Sequence, residues 1–304
     1  MIEATTTRGA EAEALTALPP SLGATVGYVL HRAFLQVQQG YVAALTPRHP
    51  RDLTIIARLL AAGPCSQQEL GECLTVNRSA MVHVIDELER EGLVSRQRNA
   101  SDRRSYALTA TSAGVALLEA LTPALLGADR EATRRLANED RARLQELLAR
   151  LLGSELAAVA APVDETTGYL VARAHFQLHK RADETCEPFG LEVREYGTLA
   201  TIDDLAPCSQ QQVATMLGVS GPVVVELIDA LEPRGLVVRE RNPSDRRSYA
   251  LRLGESGAAL RDRAAAALNA REDETRRRVG VGEYGELCQL LRRLVGAEPA
   301  SAGA

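Results

Sequence analysis

Gly92–Leu108, GLVSRQRNASDRRSYAL, returns 143 residues later as Gly235–Leu251, GLVVRERNPSDRRSYAL, with fourteen of seventeen positions identical and in order. One module therefore occurs twice in this chain of 304 residues. Such a period means that two like units must pack, with a two-fold arrangement available inside one polypeptide. Outward from that block, Pro64-Cys65-Ser66-Gln67-Gln68 answers to Pro207-Cys208-Ser209-Gln210-Gln211, and Val84–Glu89 answers to Leu227–Glu232, at the same offset. Nearer the start, Gly27-Tyr28 and Arg32-Ala33 match Gly168-Tyr169 and Arg173-Ala174 at an offset of 141, so two extra residues enter the second copy between its first and second helices. The reading gives a tail over 1–19, one domain over 20–160, a second over 161–297 and a short tail over 298–304. The first tail is rich in Ala, Glu and Thr and lacks the basic-then-apolar order of a secretory signal, so it is expected to be disordered.

Hydrophobic residues make up 45% of the chain and aromatics only 3%, so the core must be built from Leu, Ala and Val, which suits helix packing. No apolar run reaches membrane length; a cytoplasmic, nucleoid-associated protein with no membrane partner is expected. Five cysteines, an odd number without a C-x-x-C pair, do not describe a disulfide framework or a zinc site and are read as reduced thiols. The formal charge is −5, yet Gly92–Tyr106 carries four arginines against one aspartate and Gly235–Tyr249 four against two acids. These segments hold +3 and +2, leaving −10 on the rest of the chain. Clustering of that kind attracts phosphate more effectively than the net sum suggests. Solvated hairpin arginines are the plainer reading of one such segment; near-verbatim duplication argues against it.

Ser66-Gln67-Gln68-Glu69 and Ser209-Gln210-Gln211-Gln212 fit the capping box that opens a helix. Each short helix breaks at Thr75-Val76 or Gly218-Val219, and a second starts at Asn77 or Ser220. That helix carries apolar residues at Met81, Val84, Ile85 and Leu88, or Val224, Leu227, Ile228 and Leu231, one buried face in each copy. After Gly92 or Gly235 come short β-like runs around Asn99–Asp102 or Asn242–Asp245, strong turn chemistry. The expected fold is mainly α with small β-wings: two winged helix-turn-helix domains joined through a helical, dimerisation-like bundle. Such a unit lays one helix in the major groove while the hairpin reaches the backbone or minor groove.

The order of elements, with L-E-x-x-G-L-V at Leu88–Val94 and Leu231–Val237, D-R-R at Asp102–Arg104 and Asp245–Arg247, and glycines at Gly114 and Gly257, resembles the MarR family of bacterial winged-helix regulators. The threonine of the family's L-T-x-x-G is lost at Gly254. The resemblance spans about sixty residues per copy. It implies two halves that pair through their first and last helices, here inside one chain, so that a monomer acts as a pseudo-dimer on double-stranded DNA. Half-sites would lie about one helical turn, roughly 10 bp, apart. Leu144, Leu147, Leu148, Leu151 and Leu152, with Leu287, Leu290, Leu291 and Leu294, supply apolar faces for the paired helices, as they would for any helical bundle.

DNA contacts are expected from Asn77, Arg78, Ser79 and His83 in the first recognition helix and from Ser220 and Gly221 in the second. In the wings they are expected from Arg96, Arg98, Arg103, Arg104, Arg239, Arg241, Arg246 and Arg247, with Asp102 and Asp245 orienting the tips. Glu226 stands where the first copy has His83; a carboxylate there repels phosphate, although it could accept a bond from a cytosine amine. Many relatives of this kind respond to aromatic anions or to cysteine oxidation. Tyr28, His31, Phe34, Tyr169 and Phe176 could line an effector pocket, or be ordinary core. Cys65 and Cys208 stand before helix N-termini, where a thiolate is favoured; with Cys186 they are the redox candidates, buried thiols being the alternative. His175 and His179 have metal-like spacing but lack a third ligand, and are read as a solvent-facing pair. No metal, cofactor or enzymatic activity is expected, since the phosphate-loop, dinucleotide, nucleophile-elbow and zinc-protease motifs are missing. A regulator, most simply a repressor released by a small-molecule or oxidative signal, competes with a ligand- or protein-binding scaffold that has lost DNA binding.

Overall fold

The computed structural model describes residues 18–98, 106–241 and 249–297. The tails expected over 1–19 and 298–304 lie almost wholly outside these residues. In chain order the first copy forms α1 (Pro20–Gly23), α2 (Val26–Leu45), α3 (Pro50–Ala62), β1 (Cys65–Ser66), α4 (Gln67–Leu74), α5 (Arg78–Arg90), β2 (Val94–Arg98), β3 (Tyr106–Ala110), α6 (Ser112–Ala132) and α7 (Asn138–Leu152). The second forms α8 (Thr167–Cys186), α9 (Val193–Leu205), α10 (Gln210–Leu217), α11 (Gly221–Leu231), β4 (Val237–Arg241), β5 (Tyr249–Leu253), α12 (Glu255–Val279) and α13 (Val281–Val295). The chain is therefore mainly helical with two small antiparallel sheets. The first has strand order β1-β3-β2; in the second, β4 pairs with β5 and Cys208 bridges to Leu251 where β1 stands in the first copy. The two extra residues fall between α8 and α9, where residues 187–192 replace the shorter link 46–49.

Two compact units result. The N-terminal unit is Ala33–Gln177; the C-terminal unit joins residues 1–32 to 178–304. Each unit is thus completed by the leading segment of the other repeat, and the boundaries fall inside α2 and α8.

In the N-terminal unit the borrowed segment is held by polar groups. Asp129, buried in α6, accepts from the Tyr41 hydroxyl (2.6 Å) and from the Gly168 amide (2.9 Å) at the start of α8. A β-carbon at Gly168 would overlap the Tyr41 ring, so only glycine allows this approach. The Ala160 amide donates to the Ala57 carbonyl (2.9 Å), and Leu144, Leu147, Leu148, Leu151 and Leu152 of α7 are fully buried. In the C-terminal unit the Ser21 amide and hydroxyl both donate to Asp204 Oδ2 (2.9 and 2.7 Å), and Leu22 and Tyr28 pack on Ala200. Leu287, Leu291 and Leu294 of α13 are fully buried.

Both capping boxes form. The Ser66 hydroxyl accepts from the Glu69 amide while the Glu69 carboxylate accepts from the Ser66 amide, and Ser209 and Gln212 do the same. Asn77 caps α5 by accepting from the Ala80 amide (2.8 Å), whereas Ser220 makes no side-chain cap and Pro222 sets the first turn of α11. Met81, Val84, Ile85 and Leu88 are each less than 5% exposed, burial worth about 1.5–3 kcal/mol per side chain. The turn preceding each recognition helix is left-handed: Gly218 takes φ 66° at no cost, while Thr75 takes φ 55°, a conformation a β-branched residue rarely adopts.

The missing threonine at Gly254 has a structural substitute. In the first copy Thr111 donates to the Gly92 carbonyl (2.6 Å) and accepts from the Gly114 amide (3.1 Å). In the second, Ser256 donates to the Gly235 carbonyl (2.8 Å), and a β-carbon at Gly254 would collide with that same carbonyl. The histidine pair departs from expectation. His179 is exposed beside Asp183 (3.0 Å), but His175 is buried with its ring stacked on Phe34 at 4.3 Å, because α8 passes from covered to open surface within that turn.

Removing Asp129 leaves the Tyr41 hydroxyl and Gly168 amide buried without their acceptor. Asp129→Ala should cost about 2–4 kcal/mol, read as a lowered urea midpoint, with Tyr41→Phe costing clearly less.

Candidate nucleic-acid interface and an adjoining cavity

The α5 face opposite its buried stripe exposes Asn77, Arg78, Ser79, Val82 and His83. The equivalent face of α11 exposes Ser220, Gly221, Pro222, Val225 and Glu226, and α11 contains no lysine or arginine. The first helix thus exposes a guanidinium and an amide near its start, and the second a carboxylate and small side chains.

The wing arginines divide into two sets. Arg96 turns onto α5: Nη2 donates to Asp86 (2.6 Å) and Gln67 (3.2 Å), Nη1 to Glu89 (2.7 Å). Arg239 repeats this against Asp229 (2.5 Å) of α11 and Glu232 (2.8 Å) at its C-cap. Each guanidinium bridges two carboxylates one helical turn apart, so it braces the wing to the recognition helix, and its charge is already neutralised. The next residue on the same strand face is Arg98 or Arg241, since alternation along β2 puts Val94, Arg96 and Arg98 on one side. Arg98 stands in register with Tyr106 and Arg241 with Tyr249, all four exposed. Each register pair sets an exposed cation beside an exposed phenol hydroxyl, beyond the end of the brace. The tyrosines were legible in the repeated SYAL, but strand register gives them a role. Arg103, Arg104, Asp102, Arg246, Arg247 and Asp245 lie outside the described residues.

A cavity of about 370 Å³ opens in the N-terminal unit. Phe34, Tyr169 and Phe176 line it, with Phe34 and Phe176 edge to face at 5.1 Å. Arg51 and Arg173 also reach it, each with a buried Nε that has no hydrogen-bond partner among the described residues. Burial lowers the Arg173 pKa, and Arg173 Nη1 donates to Thr75 Oγ1 (3.3 Å). Leu74, Thr75, Val76 and Asn77 form the wall toward the recognition helix. Tyr28 and His31 stand elsewhere, in the C-terminal unit, bonded to the carbonyls of Met216 (2.5 Å) and Leu217 (2.9 Å).

All five cysteines are unpaired. Burial raises the Cys65 pKa and pushes those of Cys186 and Cys208 up to about 11. Burial at these positions works against the thiolate. Among the described residues no cluster of three metal-ligating side chains forms, and no single helix is long and apolar enough to cross a membrane.

Two helix-turn-helix units, each with a braced basic hairpin, define a winged-helix DNA-binding protein. Two MarR family models match the chain, one over residues 50–106 and the other over 189–248. A protein of Thauera aromatica named for transcriptional regulation of the hcr operon is 30% identical over 134 residues, covering 43% of this chain and 81% of its own length. CouR from Rhodococcus jostii RHA1, solved bound to p-coumaroyl-CoA, is 34% identical over 38% of this chain and 80% of its own, with a TM-score of 0.34. A MarR family transcriptional regulator from Rhodococcus sp. RHA1 is 30% identical over 43% of this chain and 95% of its own, with a TM-score of 0.39. The chain belongs to the MarR family, here in tandem, and its relatives are transcriptional regulators.

If Arg96 is a brace, Arg96→Gln should destabilise by about 1 kcal/mol in urea unfolding and leave the salt dependence of DNA binding unchanged. A flattened salt slope would make it a phosphate contact instead.

Proposed function

We propose that this chain is a sequence-specific double-stranded DNA-binding regulator, a cytoplasmic repressor that binds as a single-chain pseudo-dimer and is released by a small aromatic anion. The observation that carries the DNA reading is the repeated arrangement of brace and Arg–Tyr pair, Arg96 with Arg98 and Tyr106, Arg239 with Arg241 and Tyr249. It holds each wing at a fixed attitude to its recognition helix while leaving one cation at its outer end. Arg103, Arg104, Arg246 and Arg247, with Asp102 and Asp245, extend the basic segment in sequence and lie outside the described residues. The two halves grip alike and read differently: Arg78, Asn77, Ser79 and His83 read bases in one half-site, and α11 anchors chiefly through its wing, with Ser220 and Gly221 close to the backbone.

The cavity favours a small-molecule signal over an oxidative one. Aromatic walls suit a ring, and the two guanidiniums with unpartnered Nε atoms suit a carboxylate. Asn77 both lines the cavity and caps α5, so an occupant would press on the start of the base-reading helix. A scaffold without DNA binding is favoured only by the uncharged and acidic face of α11, which concerns half the molecule.

Electrophoretic titration of the monomer against DNA upstream of its own gene, at several salt concentrations, tests the reading. Sequence-dependent binding is expected, and its absence would favour the scaffold. Arg78→Ala should cost about 1–3 kcal/mol at one half-site, whereas Glu226→Ala should not weaken binding. Arg98→Ala and Arg241→Ala should each weaken binding to all sequences and reduce the salt slope by about 1.

A further inference from the structure

The two repeats put different side chains at the cavity position. Ala172 lines the cavity of the N-terminal unit; its equivalent at the offset of 141 is His31, in the C-terminal unit. His31 Nε2 donates to the Leu217 carbonyl (2.9 Å), the Tyr28 hydroxyl donates to the Met216 carbonyl (2.5 Å), and Arg32 Nη1 reaches both that carbonyl (3.1 Å) and the Tyr28 oxygen (3.3 Å). Met216 and Leu217 end α10, the helix before the turn into α11, so three side chains of α2 are fastened to the helix-turn-helix itself. Tyr196, the counterpart of the cavity-lining Leu53, adds bulk against Leu22 and Tyr28. In the N-terminal unit the same network is loosened. Tyr169 turns away to the Ala157 carbonyl (2.7 Å), Arg173 donates to the Thr75 hydroxyl (3.3 Å), and alanine replaces the imidazole.

We propose that the C-terminal unit carries its own occupant, the Tyr28–His31–Arg32 clamp, so that an aromatic carboxylate enters the N-terminal unit alone, one per chain. This rests on the effector reading given above and goes beyond it in stoichiometry and in which recognition helix responds. The ring lies against Phe34, Phe176 and Tyr169, and the carboxylate meets Arg173 and Arg51. A volume of about 370 Å³ admits acids of one or two rings. Occupancy acts on the turn Leu74–Asn77, where Thr75 sits in a left-handed conformation that a β-branched residue rarely adopts. The opposite turn has glycine at that position and is fastened by the clamp. Burial lowers the His31 pKa.

Calorimetric titration of the full chain with benzoate and 2-naphthoate, and with benzamide as the uncharged control, tests this. One molecule of carboxylate per chain is expected, with benzamide bound at least tenfold more weakly. Hydrogen exchange should show protection at residues 74–77 and none at 217–220. His31→Ala, which opens the C-terminal unit, should raise the stoichiometry to two; Ala172→His, which transplants the imidazole, should abolish binding while circular dichroism stays unchanged. Two sites in the unaltered chain, or one site unmoved by both substitutions, overturn the clamp and leave the effector reading intact. No saturable carboxylate binding by either the unaltered chain or His31→Ala overturns the effector reading itself. If His31→Ala fails to fold, Ala172→His and the exchange pattern decide alone.

Discussion

Neither repeat buries the first half of its own leading helix, and this constraint governs the molecule. Residues 18–32 close the C-terminal unit and residues 161–177 close the N-terminal one, so α2 and α8 are each divided between two cores. At the N-terminal unit the crossing is secured by one buried carboxylate, Asp129, which satisfies a tyrosine hydroxyl and a helix-start amide together. A buried charge of this kind is tolerated only where donors surround it, and the approach needs glycine at 168. Covalent fusion makes the exchange independent of concentration, since the partner segment is always present.

Symmetry is kept where it concerns attitude and lost where it concerns reading. The carboxylates that receive Arg96 and Arg239 are spaced one turn apart on both recognition helices, and the wings they hold are nearly identical in sequence. Between those fixed parts, α5 and α11 have diverged at nearly every exposed position near their starts. The cap follows the same divergence, with Asn77 accepting an amide and Ser220 not. Thr111 and Ser256 show the opposite outcome, a changed residue with the same bond to the glycine carbonyl recovered from two positions along.

Much of this was legible in the chain itself. The 143-residue period gave the two copies, the capping boxes gave the helix starts, and the turn residues gave the hairpins, because each is a local rule acting within a few residues. The roles of individual arginines were not legible, since Arg96 and Arg98 differ only in what lies across from them. That depends on strand register and on carboxylates ten or more residues away. His175 was misplaced for the same reason: i,i+4 spacing puts two residues on one face of a helix but does not say where the cover over that face ends. The cavity brings Ala172 into one lining with Arg51 and Phe34, a juxtaposition spanning more than a hundred residues. Its counterpart, with histidine for alanine, looks equally suitable in the sequence alone.

The exchanged segments also set an order of events during synthesis. Domains fold as units as the chain emerges, and the N-terminal unit is complete once residue 177 has left the ribosome. Residues 18–32 leave far earlier, yet the helices they pack on, α9, α10, α12 and α13, are made last. At usual elongation rates the apolar stretch around Val26, Val29 and Leu30 therefore waits on the order of ten seconds without its partners. An early-made stretch is thus among the last to find its place, and a ribosome that stops before the second repeat leaves that apolar stretch for chaperones or proteases to find.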